Sequence, residues 1–531
     1  MPKIFIDGEE MEVAAGTTIL QAALAKGREI PHYCYHPGLS VAGNCRMCLV
    51  EVEKQPKLVI GCYTPVADGM VVHTGSEKVK AAQSAMMEFF LINHPLDCPI
   101  CDQAGECRLQ EYAVAYGDGQ SRYTEPKLAL SKAVDIGEHV MLDQERCIQC
   151  SRCIRFCDEV TGTGELRFFE RGERSQIGIF PGKRLDNLYS GNVVDLCPVG
   201  ALTLKEFRFA TRVWYLKNTP SVCAGCARGC NVVVGVGQQQ TQMTTRGQQD
   251  DRVKRIVARV NENVNGHWIC DIGRLSYETE QASARLASPR VSGVAARYDD
   301  AVAALGPKLA GAAREGKLGI VASPRTLSED LFAWATVTSG FGGATRGVRR
   351  LIQGEDDRLL LRADRGANAR GASWIFGEDA DEAGVWAAVA AGKVTTVLVL
   401  GDTLNAADTP TLPAGAQAEL LFVGPFVSPA TDAAAVAIPS ASWSEADGTF
   451  VNFEGHIQRV RRCHLPLGEA RPGWRIAADV AAVSGLELPS WSEAAEVLKS
   501  LAQGVREFAG VTAESLGLLG ARPTAGAGAG A

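Results

Sequence analysis

The chain has 531 residues, a length that suits three or four domains, with 46% hydrophobic residues, 22% charged residues and a net charge of −7. This composition excludes a wholly disordered or fibrous chain, and the acidic balance argues against a nucleic-acid binder, which carries a basic footprint. Of the 17 cysteines, 16 lie between Cys34 and Cys270 and only Cys463 lies beyond them. No signal-peptide pattern opens the chain and no stretch reaches 18 apolar residues. A reducing compartment is therefore expected, in which dense cysteine signals metal or redox chemistry rather than disulfides.

In chain order, residues 3–6 and 11–13 read as a hairpin around Asp7-Gly8. Thr17 or Thr18 caps a helix through Ile19, Leu20, Ala23 and Leu24 that Gly27 ends. Cys34, Cys45, Cys48 and Cys62 follow with the spacing C-x10-C-x2-C-x13-C. Four thiolates are the complement of a [2Fe–2S] cluster, with a four-thiolate zinc site as the alternative. Residues 79–92 read as an amphipathic helix whose Val79, Met86, Met87, Phe89 and Phe90 stripe is core packing. It leads into His94-x3-Cys98-x2-Cys101-x5-Cys107, three thiolates and an imidazole, and imidazole can replace thiolate on iron.

Cys147, Cys150, Cys153 and Cys157 have the bacterial ferredoxin spacing, in which the fourth cysteine serves a second cluster. No cysteine lies between 157 and 197 to complete that second cluster, and Cys157 is followed by Asp158 rather than proline. Cys197 instead opens Cys197-Pro198-Val199-Gly200-Ala201, the sequence expected after a remote fourth ligand. The set is read as Cys147, Cys150, Cys153 and Cys197 around one [4Fe–4S] cluster, with Cys157 as the alternative fourth ligand. Cys223, Cys226, Cys230 and Cys270 form a fourth set with the spacing C-x2-C-x3-C-x39-C, for which zinc is the alternative when the motif is taken alone. Four centres need 16 ligands, supplied by 15 cysteines and His94, which leaves Cys157 and Cys463 over.

From about residue 290 the texture changes to Ala-rich helices alternating with apolar strands such as Leu318–Ala322 and Val394–Leu400, an α/β pattern. Gly401-Asp402-Thr403 reads as the turn after the second strand. No G-x-G-x-x-G follows a strand, and the nearest match, Gly340-Phe341-Gly342-Gly343, reads as a loop. The tail 511–531, ending in TAGAGAGA, reads as disordered.

This order of motifs resembles the large iron–sulfur subunit family of bacterial NADH–quinone oxidoreductase, respiratory complex I. The resemblance is close over residues 1–290 and weak beyond, where Ser444–Gly455 (SEADGTFVNFEG) looks like a molybdopterin-oxidoreductase signature. It implies a multidomain α/β chain. A β-grasp [2Fe–2S] ferredoxin domain is expected at 1–78, then [4Fe–4S] domains at 79–118, 119–214 and 215–271. A shortened, degenerate molybdopterin-oxidoreductase-like domain is expected at 272–510. The resemblance also implies one [2Fe–2S] and three [4Fe–4S] clusters and no catalytic residues. No molybdopterin is expected, because no cysteine lies between 270 and 463. The implied task is electron relay from a flavin- and NADH-binding subunit to a downstream Fe–S subunit and on to quinone. The implied location is peripheral, on the cytoplasmic side of the membrane, with membrane contact only through partner subunits and no nucleic acid bound.

Overall fold

The computed structural model describes residues 1–238, 252–280, 285–401 and 417–523, in two compact units, Met1–Leu216 and Lys217–Ala531. The first unit opens with the predicted hairpin. β1 (Lys3–Ile6) turns through Asp7 and Gly8, at φ 50° and 85°, into β2 (Glu9–Glu12). A two-residue turn of this kind needs positive φ at both positions, which Asp-Gly tolerates. Helix α1 (Ile19–Ala25) starts at Thr18, where a capping box forms: Gln21 N–H donates to Thr18 Oγ1 and Thr18 N–H donates to Gln21 Oε1. Ile19, Leu20, Ala22 and Ala23 on its buried face pack against Ile4, Ile6, Val50 and Val72. β3 (Leu49–Val52), β4 (Val59–Ile60) and β5 (Met70–His73) complete a five-stranded sheet of order β2-β1-β5-β3-β4, in which β1 and β5 are parallel.

Helix α2 (Glu77–Leu91) starts at Ser76, whose side chain accepts from Val79 N–H. Its fully buried stripe is narrower than predicted: Val79, Gln83 and Met87 are inside, whereas Phe89 is 69% exposed. Helix α3 (Arg108–Tyr116) follows, then β6 (Val134–Asp135) and β7 (Val140–Leu142). Helix α4 (Arg152–Arg155) runs on into a π-turn at Phe156–Val160. β8 (Leu166–Phe169) and β9 (Gln176–Ile179) pair as a hairpin, and helix α5 (Asn192–Leu196) ends at Cys197. β10 (Leu202–Leu204) joins β7 and β6 in a three-stranded sheet.

The second unit begins with a three-stranded sheet of β11 (Leu216–Val222), β12 (Asn231–Gly237) and β13 (Val253–Ala258). Short helices α6 (Asp271–Arg274) and α7 (Ser276–Glu280) follow. The main sheet has seven strands. An antiparallel pair, β14 (Arg290–Val291) and β15 (Val294–Ala295), lies at one edge. Next to it run five parallel strands: β16 (Leu318–Ala322), β17 (Thr345–Val348), β18 (Thr396–Leu400), β19 (Glu419–Gly424) and β20 (Val436–Pro439). The sheet order is β15-β14-β20-β19-β18-β16-β17. β16 matches its predicted bounds and β18 starts two residues later than predicted; both are buried throughout, as parallel strands covered on two faces must be.

Alternate residues serve opposite cores. Ile320, Leu398, Leu421 and Ile438 face α8 (Tyr298–Arg314), α9 (Ser328–Phe341) and α13 (Gly473–Val483), with Trp334 at the centre. Val321, Val397, Val399 and Phe422 join a second core with Val385 and Val389 of α11 (Glu382–Ala390). Helices α10 (Ala369–Phe376) and α12 (Pro429–Ala433) lie in the crossovers. A hairpin of β21 (Gly448–Val451) and β22 (Ile457–Val460), then α14 (Ala494–Gly504) and α15 (Ala513–Leu516), complete the unit.

Two expectations are corrected. Gly340-Phe341-Gly342-Gly343 is not a free loop: Gly340 and Phe341 belong to α9, and Gly342 caps it at φ 136°. The segment 511–523 is ordered, not a disordered tail. Val511 and Leu516 are buried, and Ala521 exchanges two backbone hydrogen bonds with Ile457, at 2.8 and 2.9 Å. Apolar anchors at single positions hold it, a signal that tail composition hides. The Gly/Ala repeat from Thr524 onward and the turn residues Asp402-Thr403 lie outside the described residues. Among the described residues, no helix is long and apolar enough to cross a membrane.

Candidate iron–sulfur sites

All 17 cysteines are free thiols. Those of the first set converge in the loop after α1 and at the end of β4. Cys34 lies within hydrogen-bonding reach of Cys45 and Cys62, and Cys48 within reach of Cys62. The backbone N–H of Cys34 donates to Cys45 Sγ at 3.5 Å, and that of Cys62 to Cys48 Sγ at 3.4 Å. Shared protons hold Cys34 and Cys48 below the ordinary thiol range and push Cys45 and Cys62 above it. A set of buried thiols competing for protons suits replacement of those protons by a metal core.

In the second set, Cys98 opens a one-turn helix at the surface, Cys101 is buried and Cys107 precedes α3. Cys101 acts on Cys107, and Cys98 acts on both. His94 is half-buried, and its Nδ1 atom is buried with no hydrogen-bond partner. Burial, helped by Lys127 and Arg146, lowers its pKa to about 4, so it is neutral at ordinary pH and has a lone pair to give. A buried unpaired imidazole nitrogen is costly unless something binds it, and metal ligation fits that requirement. His94 and Cys147 line one cleft. The 94–101 turn is tied to the third set by a charge network: Asp97 Oδ2 accepts from Lys132 Nζ at 2.6 Å and from Arg146 Nη2 at 2.8 Å.

Cys147, Cys150, Cys153 and Cys197 together line one small pocket. Leu142, Ile148, Ile177 and Val199 supply its apolar wall. Burial pushes Cys150 up to about 11 and Cys153 well above the ordinary range. The backbone N–H groups of Val199, Ala201 and Leu202 point at the Cys197 sulfur. Cys157 does not line the pocket. Its sulfur accepts from Leu166 N–H on β8 and faces Glu165, Asp158 and Arg167, and burial pushes it up to about 12. This placement favours Cys197 over Cys157 as the fourth member.

The fourth set lies in the second unit. Cys223, Cys226, Cys230 and Cys270 are buried and act on one another. Gly225 N–H donates to Cys223 Sγ at 3.3 Å and Gly273 N–H to Cys270 Sγ at 3.4 Å. A Cβ on Gly273 would sit 2.8 Å from Cys223 Sγ, so only glycine leaves the sulfurs room. The Ser444–Gly455 signature braces this set. Phe453 N–H donates to Ala227 O at 2.9 Å, Asn452 Nδ2 donates to Arg228 O at 3.4 Å, and the Arg228 guanidinium lies 4.8 Å from the Phe453 ring centre.

Sequence spacing missed several supports. Arg46, Gln149 and Ser151, at φ 57°, 54° and 62°, are left-handed inside the Cys-x2-Cys steps. This uncommon conformation turns amides inward, and Gln149 N–H donates to Cys147 Sγ at 3.4 Å. The three sets of the first unit also touch one another. Asn44 Nδ2, beside Cys45, donates to Gln149 O at 3.3 Å. Cys107 Sγ lies 3.8 Å from Pro198 O, and a Cβ on Gly200 would strike Cys101 Sγ at 2.1 Å. Cys34, Cys45 and Cys150 share one buried cluster with Tyr33, Met47 and Met87, and Cys107, Cys147 and Cys197, partly exposed, pack against it. Among the described residues, no three His, Cys, Asp or Glu side chains close around a single ion. Ligands of a multi-iron cluster stand wider than that.

Family models match along the chain in the expected order. Residues 2–77 match a 2Fe-2S iron-sulfur cluster binding domain, and 83–122 match an NADH-ubiquinone oxidoreductase-G iron-sulfur binding region. Residues 137–203 match the ferredoxin-like domain of NADH-quinone oxidoreductase subunit 3, and 321–483 match molybdopterin oxidoreductase. The G-type subunit of NADH-quinone oxidoreductase from Rickettsia bellii is 44% identical over 58% of this chain and 44% of its own length. Over the matched residues the chain is similar to this iron–sulfur subunit.

NADH dehydrogenase [ubiquinone] iron-sulfur protein 1 of Solanum tuberosum is 43% identical over 56% of this chain and 38% of its own length. The chain spans less than half the length of these two relatives. A solved NAD+-reducing [NiFe]-hydrogenase is 30% identical over 40% of this chain and 91% of its own, at a TM-score of 0.37. The first three ligand sets fall inside matched ranges; the fourth lies between the ferredoxin-like match and the molybdopterin oxidoreductase match. In that last region a cleft opens beyond the carboxyl ends of the parallel strands, lined by Arg325, Asp330, Gly401, Ser442 and Trp443. Sheets of this type bind ligands there; among the described residues, no cysteine or histidine lines this cleft.

Proposed function

We propose that this chain is the electron-transfer iron–sulfur subunit of a proton-pumping NADH–quinone oxidoreductase. Cys34, Cys45, Cys48 and Cys62 would hold a [2Fe–2S] cluster. His94, Cys98, Cys101 and Cys107; Cys147, Cys150, Cys153 and Cys197; and Cys223, Cys226, Cys230 and Cys270 would each hold a [4Fe–4S] cluster. Bound there, such clusters supply one-electron transfer at potentials set by ligand type, hydrogen bonding and burial.

The observation that carries the reading is the shared core of the first unit: Cys34, Cys45 and Cys150 are buried in it, and Cys107, Cys147 and Cys197, partly exposed, pack against it. The third set touches both others: its loop bonds to the first through Asn44 and Gln149 and packs on the second through Pro198 and Gly200. The protein's own residues exclude water, aim amide donors at sulfur and hold the three sets in contact. The partners are a flavin subunit upstream and an Fe–S subunit downstream toward quinone. The site of work is peripheral, on the cytoplasmic side of the membrane. The C-terminal region serves as a scaffold without molybdopterin.

Iron and acid-labile sulfide analysis with EPR on the purified complex is expected to count one binuclear and three tetranuclear centres in this chain. Zinc in place of iron and sulfide would overturn the reading.

A further inference from the structure

Arg152 follows Ser151 in the third cysteine loop and opens α4, yet only 8% of it is exposed. One guanidinium nitrogen donates to Tyr35 O, beside Cys34, at 2.5 Å, and the other donates to Leu196 O, beside Cys197, at 3.2 Å. Its Nε is buried without a partner. Among the described residues no carboxylate pairs with it. The groups that favour its charge are the sulfurs of Cys150, Cys197 and Cys34, while Arg108 opposes it. Arg155, one turn on and more exposed, donates to Cys34 O at 2.5 Å and to Ser40 O.

A guanidinium stays charged at all ordinary pH, and burying one without an anion is costly. The fold must therefore supply negative charge close by. Four thiolates around an iron–sulfide core leave a net negative charge, and two such sets flank Arg152. We propose that Arg152 is a shared counter-cation of the Cys34–Cys62 and Cys147–Cys197 centres and raises the reduction potentials of both together. The inference rests on the electron-relay reading. Reduction adds a negative charge, a nearby cation stabilises the reduced form, and loss of that cation lowers the potential.

The test is potentiometric EPR on the intact complex carrying Arg152→Gln. Both potentials are expected to move to more negative values while that of the His94 centre stays in place. Arg152→Lys, which keeps the charge, is expected to hold both close to wild type. If both signals are present and one or neither potential moves, the proposal fails. If the Gln variant does not assemble its centres, the Lys variant decides. Two assembled centres at near-wild-type potentials support a charge role, whereas loss of either centre shows that guanidinium hydrogen bonding, not charge, is what matters. Failure of the underlying reading looks different, because wild type would then lack both cluster signals.

Discussion

The core of the first unit buries Cys34, Cys45 and Cys150 and has Cys107, Cys147 and Cys197 packed against it, whereas the large core of the second unit, with Trp334, is wholly aliphatic and aromatic. The first unit gathers short strands and Cys-bearing loops around thiols. The second packs long helices on a parallel sheet and carries its one cysteine set beside that sheet, braced by Asn452 and Phe453. A core lined by ligands owes part of its stability to what the ligands bind, whereas a hydrocarbon core owes its stability to burial.

The sharpest break of this contrast is at Cys197. Cys197→Ser is expected to abolish the third centre and loosen the core it shares with the first two, seen as loss of one tetranuclear EPR signal and of iron. Cys157→Ser is expected to leave every centre in place; loss of a signal there would reverse the choice of fourth ligand. In the second unit the comparable injury is Trp334→Ala. The side chain is 1% exposed, and such truncations cost about 3–5 kcal/mol, so amide exchange in β16 and β18 should accelerate by that measure.

A smaller effect concerns pH. Glu329 is fully buried, accepts from Thr449 N–H at 2.7 Å, and burial raises its pKa from 4.5 to about 8. Because the folded pKa lies above the unfolded one, Glu329 contributes stability that is fully present below about pH 4.5 and is lost as pH rises through about 8. Asp330, raised from 3.8 to about 6, adds a similar loss at lower pH. Glu329→Gln is expected to flatten the fall in denaturant midpoint of the second unit between those values. An unchanged pH profile would show that Glu329 ionises as easily folded as unfolded.

Much of the candidate chemistry was legible because ligands cluster in short loops. Cys45 and Cys48, or Cys147, Cys150 and Cys153, are forced together by two-residue steps whatever the rest of the chain does. The strands β16 and β18 were legible because two-sided burial writes a continuous apolar run. The stripe on α2 was less so, since apolar character at Phe89 does not ensure a neighbour to cover it. The ordered segment 511–523 was missed because its anchors, Val511, Leu516 and Ala521, are isolated in sequence and find partners only across the fold.

Spacing and composition alone mark the four cysteine sets, the histidine among them and the change from ligand-rich to hydrocarbon texture near residue 290, because each is a local property of the chain. Tertiary structure decided the rest. It turned Cys157 toward β8 and brought Cys197 to the pocket, set the Cys147–Cys153 loop against the first cysteine set, and buried Arg152 between Tyr35 and Leu196. Those outcomes depend on contacts between residues distant in sequence, which chain spacing does not encode.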